Sequence, residues 1–286
     1  MAQHNHSSPR LLTPVGDTDP FRPSSTRLVR VRARTLPADT HFEPHHHAWA
    51  QLAYCASGVL QVTAGLSAGS RDTISYIVPF SRAVWIAPGV RHAVNALENA
   101  AFRTLYIHAE AVPAGWLSCR MLVMSPLLRE LVLALDDAGT TVAQARDDPT
   151  AALAREALIA ALVLTELEQA PTQTLGVPLP HPQTGDNRLR MLCDAVMQAP
   201  QRRATLAEWA RDVGASERTV ARLFRSELDT NFQHWRQQVV LAHALPMLAR
   251  GAPVGQVAAA SGYASDSAFT AMFRSAMGQA PSAFRN

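Results

Sequence analysis

Three histidines carry the most reactive chemistry in this sequence. His45 and His47 stand two apart in the run His45-His46-His47-Ala48-Trp49-Ala50-Gln51, and His92 closes the run Pro88-Gly89-Val90-Arg91-His92. Residues i and i+2 of a strand point to one face, so a strand through 45–47 would aim two imidazoles one way and His46 the other. A third imidazole from a distant strand would complete a nitrogen set suited to a transition metal. The same side chains could equally serve as polar walls of a cavity or as contacts for an organic effector. Trp49, Trp85, Tyr54 and Phe102 lie among the same segments and are read as core or pocket wall.

A second kind of chemistry, the reading of bases, is written into residues 206–285. The stretch LAEWARDVGASERTVARLFRSEL (206–228) is echoed by VGQVAAASGYASDSAFTAMFRSAM (254–277). In both, an apolar-periodic helix runs into a Gly, and a Ser then opens a second helix. Gly permits a positive φ in the turn, and the Ser hydroxyl can accept from the next helix's open amides. From the Ser onward the copies match at an offset of 49: Ser216 with Ser265, Phe224 with Phe273, Arg225 with Arg274, Trp235 with Phe284. Gly214 matches Gly262 at an offset of 48, so the second turn is one residue longer. Helical spacing puts Val220, Leu223 and Phe224 on a buried face and Glu217, Arg218, Ala221 and Arg222 on the other. In the second copy Phe269, Met272 and Phe273 are inward, and Asp266, Ser267, Thr270 and Ala271 outward. Two such units on one connecting helix suit two major grooves one turn apart, roughly 34 Å.

These residues resemble the DNA-binding domain of AraC/XylS-type transcription regulators, most plainly in GYASDSAFTAMFRSAMGQAPSAFR (262–285). By motif position the resemblance implies that Arg218, Ala221 and Arg222, then Asp266, Ser267, Thr270 and Ala271, face the groove. Arg274 and Arg285 are read as holding phosphates or internal acids. Arg can fork onto guanine and Ala can touch a thymine methyl. Asp266 could accept from cytosine or steady its helix start through the dipole. Upstream, His45, His47, Gly58 and His92 resemble the two cupin motifs, with Gln51 where metal cupins carry Glu. The site so implied is His45, His47, Gln51 and His92, holding a small-molecule effector or a divalent transition metal (nickel, zinc or iron). A metal-dependent cupin enzyme, an oxygenase or isomerase, is the competing reading. Gln51 and the DNA-reading half weigh against it and for a non-enzyme.

The elements that must position these groups follow from composition and period. The fold class expected is a multidomain α+β chain: a cupin-like β-barrel with following helices, then an all-α double helix-turn-helix. The 286 residues suffice for two domains. Residues 1–27, rich in Pro and Ser, read as a disordered tail. Short strand-like runs at about ten-residue spacing over 28–112 read as the barrel. Residues 113–170 turn helical, with Leu127, Leu128, Leu131, Val132 and Leu135, then Leu153, Ala157, Ala160, Ala161, Leu164 and Leu167, at helical spacing. This segment is expected to form a homodimer interface or to cap the barrel. Residues 171–186, with four Pro, read as a linker, and 187–286 as the DNA-binding domain with units at 206–227 and 254–276. Pro246 should kink the connecting helix or end it early.

Charge agrees with this order. All 26 basic residues are Arg; the chain from Asn187 on is net +5, and the rest net −2. Three scattered Cys (Cys55, Cys119, Cys193) argue against a disulfide framework. With no secretory h-region and no run long enough to span a bilayer, the expected setting is the cytoplasm. The partners implied are double-stranded DNA, the effector, a second copy of the chain and RNA polymerase, with no membrane.

Overall fold

The computed structural model describes residues 12–70, 73–144, 149–173, 176–180 and 185–285. Its N-terminal half is two six-stranded sheets laid face to face. One runs in the order β1 (Leu12–Thr13), β3 (His41–Phe42), β8 (His92–Ala96), β5 (Val59–Gly65), β6 (Thr73–Pro79), β12 (Gly176–Leu179). The other runs β11 (Thr172–Gln173), β10 (Arg120–Val123), β7 (Arg82–Ile86), β4 (Ala50–Cys55), β9 (Ala100–Ile107), β2 (Val29–Leu36). Apart from the β1–β3 pair the ladders are antiparallel. Strand β4 is buried on both faces. Its neighbours β9 and β7 place Gln51 beside Tyr106 and Ile86, and Ala53 beside Thr104 and Val84.

Side chains of β4 therefore divide between two cores. Ala53 and Cys55 join Leu60, Val62, Val84, Ile86 and Phe102 between the sheets. Leu52 and Tyr54 pack outward with Trp85, Leu105 and Leu122. Two helices, α1 (Pro126–Gln144) and α2 (Pro149–Gln169), cover that outer layer. Leu128, Val132 and Leu135 of α1 and Ile159, Ala160, Val163 and Leu167 of α2 face it. Each of the Leu, Ile and Val side chains among them contributes roughly 1.5–3 kcal/mol on full burial. The sequence stripe of α2 is thus rotated: Leu153, Ala157 and Ala161 stay exposed, and the inward ridge passes through Ile159 and Val163. The ridge also buries Glu156, whose carboxylate is met by Arg27 at 2.5 Å and Arg30 at 4.0 Å.

Three boundaries differ from the expectation. Residues 12–27 of the presumed tail are ordered: β1 pairs with β3, a turn of 3-10 helix spans Asp19–Phe21, and Ser24 bridges Arg27. The segment has too few apolar residues for a core of its own, yet its backbone finds partners on the barrel. Residues 1–11 lie outside the described residues. The 113–170 segment is not wholly helical, since β10 lies within it. The presumed linker contributes β11 and β12 to the two sheets, Pro178 included, because β12 is an edge strand where a missing N–H is tolerated. Residues 174–175 and 181–184 of that linker lie outside the described residues.

The C-terminal half is helical: α3 (Asn187–Gln198), α4 (Leu206–Asp212), α5 (Glu217–Leu228), α6 (Phe232–Ala249), α7 (Val254–Ala260) and α8 (Asp266–Met277). Thr205 and Glu208 form a reciprocal capping box that starts α4. Ser216 caps α5 by accepting from the Thr219 amide, and Ser265 caps α8 by accepting from the Ala268 amide. Gly214 and Gly262 take φ +68 and +78 in the two turns. Helix α6 runs unbroken past Pro246 to Ala249, so it does not end early there. Pro246 removes the donor to the Ala242 carbonyl, and its ring is buried among the apolar neighbours of α6.

Candidate functional site

The first DNA-reading unit is built on α4 and α5. Val220, Leu223, Phe224 and Leu228 of α5 are buried with Trp209, Trp235 and Leu192, which fixes the helix by its inner face. The outer face carries Arg218, Arg222 and Arg225, all exposed, with Ala221 half-buried between them. These residues line one hollow together with Ser216 and Thr219. None of the three guanidinia has an ion-pair partner among the described residues. Three unpaired cations on a rigid helix face form an anion-binding surface suited to a phosphate backbone. Arg225 is the member that the sequence reading left out of the site, although its match to Arg274 at the 49-residue offset pointed to it.

The second unit is differently charged. Phe269, Phe273 and Met277 of α8 are buried, and Met272 is only half-buried. Asp266, Ser267 and Ala271 are exposed and Thr270 is half-buried. The Asp266 carboxylate leans back onto α7: a Cβ added at Gly255 would meet its Oδ2 at 2.8 Å. Arg274 is exposed. Arg285 is exposed as well, and its Nη2 donates to the Gly251 carbonyl at 3.1 Å.

The barrel brings the three histidines together. His45 is joined to His92 by a β-bridge, the backbone amides exchanging bonds of 2.9 and 2.8 Å. His45 and His47 precede β4 on an irregular stretch, not on a strand as the sequence alone suggested. They still face the same way, with ring centroids 4.9 Å apart; His92 lies 4.3 Å from the first and 5.6 Å from the second. His46 is exposed. One nitrogen from each of the three rings falls within 4.8 Å of the other two.

Hydrogen bonding sets the tautomers. Nδ1 of His92 donates to the Val90 carbonyl at 2.9 Å, and Nδ1 of His45 to the Glu43 carbonyl at 2.7 Å. Both Nε2 atoms are then lone-pair nitrogens, the arrangement that ligating histidines use. The Gln51 side-chain oxygen lies 3.1 Å from Nε2 of His92. Two lone pairs face each other there unless a cation lies between them or the carboxamide turns over to donate. Nε2 of His47 is buried with no hydrogen-bond partner, its ring stacked on Trp49 at 5.2 Å and meeting Tyr106 edge-on. Burial pushes the His92 pKa down to about 3 and the His47 pKa down to about 4, and lowers that of His45; neighbouring imidazoles add to each shift. All three rings are therefore neutral at ordinary pH, which is the ligating form.

A family profile described as an AraC-like ligand binding domain matches residues 29–177, and one described as a helix-turn-helix domain matches residues 209–286. The chain belongs to the AraC family of transcription regulators. It is 34% identical over 238 residues to the HTH-type transcriptional regulator NimR of Escherichia coli K12, covering 83% of this chain and 80% of that relative. It is 31% identical over 107 residues to the HTH-type transcriptional regulator RipA of Corynebacterium glutamicum, covering 37% of this chain and 31% of RipA. Solved structures with a faint likeness include ToxT from Vibrio cholerae O395, at 12% identity and a TM-score of 0.35 over 90% of this chain and 96% of that one. The C-terminal domain of AraT from Geobacillus stearothermophilus, at 23% identity and a TM-score of 0.34, covers 36% of this chain and 87% of that one. The sequence matches carry the assignment. This AraC-family chain joins a β-rich, cupin-like ligand-binding domain to a helical DNA-binding domain, and its working partners are DNA and a small-molecule effector.

Proposed function

We propose that the barrel senses a divalent transition metal, nickel, zinc or iron, held by His45, His47 and His92, and that its occupancy governs how α5 and α8 meet DNA. The observation that carries this reading is the buried, unpartnered Nε2 of His47 beside two imidazoles whose Nδ1 atoms are already committed to carbonyls. A buried polar nitrogen without a partner costs free energy, and a cation shared by three neutral imidazoles removes that cost. Metal–nitrogen bonds of about 2.1 Å hold ligand atoms closer than their present spread, so the 43–49 stretch would draw toward β8 on binding. Gln51 could add its carboxamide oxygen, a neutral and weaker ligand than a carboxylate. Both named relatives are transcription regulators, which supports a sensing and not a catalytic role for this centre. Elemental analysis of untagged protein tests the assignment. One metal equivalent per chain, lost in His92→Ala, is expected; a substoichiometric content that His92→Ala leaves unchanged sinks it.

In the same reading Arg218, Ala221 and Arg222 approach base edges, Arg225 and Arg274 hold phosphate, and Ser267 and Thr270 read from α8. The position of Asp266 against α7 favours steadying the helix start over contacting cytosine. Leu158 and Leu162 of α2, 70% and 53% exposed and one helical turn apart, form an uncovered apolar strip fit for a second copy of the chain, and Leu127 of α1 is 54% exposed. RNA polymerase is the further partner of a regulator so placed. The free thiols of Cys55, Cys119 and Cys193 suit the reducing cytoplasm. Among the described residues no helix is long and apolar enough to cross a membrane.

A further inference from the structure

Beside the histidines the barrel holds two cations that the reading above does not use. The register of β2 on β9 sets Arg32 opposite Thr104 and Arg34 opposite Phe102, on the same inward face as Gln51 and Tyr106. Neither guanidinium has an ion-pair partner among the described residues. Both converge on a neutral acceptor, the Val15 carbonyl, at 3.3 Å from Arg32 Nη1 and 2.9 Å from Arg34 Nη1, and Arg32 also hydrogen-bonds the Tyr106 side chain. The segment carrying Val15 lies over the pair. Phe21 packs under Arg32 with its ring 5.3 Å away, and a Cβ at Gly16 would come 3.3 Å from Arg32 Nη2. Arg34 rests on the Phe42 ring at 4.5 Å.

We propose that Arg32 and Arg34 form a subsite for the carboxylate of a small-molecule effector, and that the Val15 carbonyl occupies it in the effector-free chain. Two half-buried like charges met only by neutral groups, the Val15 carbonyl and the Tyr106 hydroxyl, are poorly compensated; a carboxylate offers each a charge-assisted bond, about twice as strong as a neutral one. Phe42, Phe102 and Tyr106 supply apolar wall for the carbon part of the ligand. The space left between these groups is about 10 Å³, room for about one water. Any larger ligand must displace the 12–22 segment, so binding and release of that segment are one event. The inference rests on the barrel being the effector chamber and not on the metal.

Hydrogen exchange of the full chain, stripped of metal by chelator, tests it. Acetate, malate and phenylacetate are each titrated to millimolar concentration, with phenylacetamide as the uncharged match. At least one carboxylate should raise exchange in residues 15–22 saturably, by fivefold or more, while phenylacetamide does nothing and β4 and β9 stay protected. The double variant R32Q/R34Q should exchange fast in 15–22 without any addition and should not respond. Three silent carboxylates, an equal effect of phenylacetamide, or a response that survives R32Q/R34Q would each overturn the proposal. The same titration on nickel-supplemented chain keeps the two readings apart. An intact carboxylate response in protein that retains no metal removes the metal assignment alone.

Discussion

The two turn glycines offer a test of the second DNA-reading unit in which each is the other's control. Gly214 and Gly262 hold corresponding places and both sit at positive φ, +68 and +78. A non-glycine residue there costs roughly 1–2 kcal/mol from the clash of its Cβ with the backbone. Their surroundings differ. A Cβ at Gly214 would meet nothing within 4 Å, whereas one at Gly262 would lie 2.6 Å from the Gln201 carbonyl oxygen and 3.0 Å from its carbon. Gln201 belongs to the connection between α3 and α4, so the obstacle is backbone and cannot rotate away. Overpacking of this kind adds about 1–3 kcal/mol. Gly214→Ala should therefore lose about 1–2 kcal/mol, and Gly262→Ala about 2–5 kcal/mol. Urea unfolding followed by the fluorescence of the buried Trp209 and Trp235 reads the difference. Asn tolerates positive φ, so Gly214→Asn should regain most of the loss while Gly262→Asn should not. Equal midpoints for the two alanine variants would refute the claim that the second turn is pinned against the α3–α4 connection.

Other outcomes follow from exposed faces and caps. Arg222→Ala should relax base preference at one or two positions by about 1–3 kcal/mol, while Arg274→Ala weakens all duplexes alike; selection from a random DNA library separates the two. L158E/L162E changes two side chains exposed in the single chain, so stability should hold within about 0.5 kcal/mol while the mass by light scattering falls to that of one chain. A dimer that survives the pair moves the contact elsewhere. Thr205→Ala removes the hydroxyl that accepts from the Glu208 amide and donates to the Glu208 carboxylate, while the backbone amide of residue 205 stays bonded to Glu208; it should lower stability by about 1 kcal/mol, with Thr205→Ser restoring it.

Most of the DNA-binding half was legible because its signals are local. A turn Gly, a capping Ser and a helical stripe each act within one or two turns, and a near-repeat at one offset doubles every signal. The barrel was legible as strands but not as partners. Nothing in residues 12–27 looks foldable, since what orders them is the Val15 carbonyl under Arg34 and the β1–β3 pairing, both supplied from elsewhere. The alternation of Arg30, Arg32 and Arg34 was visible, but an alternating strand does not say which face is the lumen; that comes from the β2–β9–β4 register. His45 and His47 reach one side of the site from an irregular stretch, because the His45–His92 bridge and not a regular strand sets their direction. Likewise the inward ridge of α2 was misplaced by its many Ala and Leu residues, which leave more than one apolar stripe to choose from.

The contact between sensor and reader sets a last, reciprocal expectation. Arg82 of β7, 4% exposed, reaches out of the barrel: its Nη2 donates to the Met277 carbonyl at 2.8 Å and its Nε to Gln173 Oε1 at 2.6 Å. Gln173 of β11 in turn donates to the Ala276 carbonyl. Those two carbonyls belong to the last turn of α8, where backbone acceptors are open and a cation is favoured. Burial lowers the Arg82 pKa to about 10, so it stays charged at neutral pH. Glu98 and Arg250 add an exposed pair at 2.5 Å between the same two parts. A ligand in the barrel can shift the presentation of α8 only by its differential affinity for two arrangements of this contact. By linkage, the factor by which the ligand changes DNA affinity must equal the factor by which DNA changes ligand affinity. Titrating ligand with and without a selected duplex, and duplex with and without ligand, gives the two ratios. Arg82→Met keeps the apolar stem and deletes the donors, so both ratios should move toward one together. A coupling factor unaltered in Arg82→Met would show that the signal passes by another route than the β7–α8 contact.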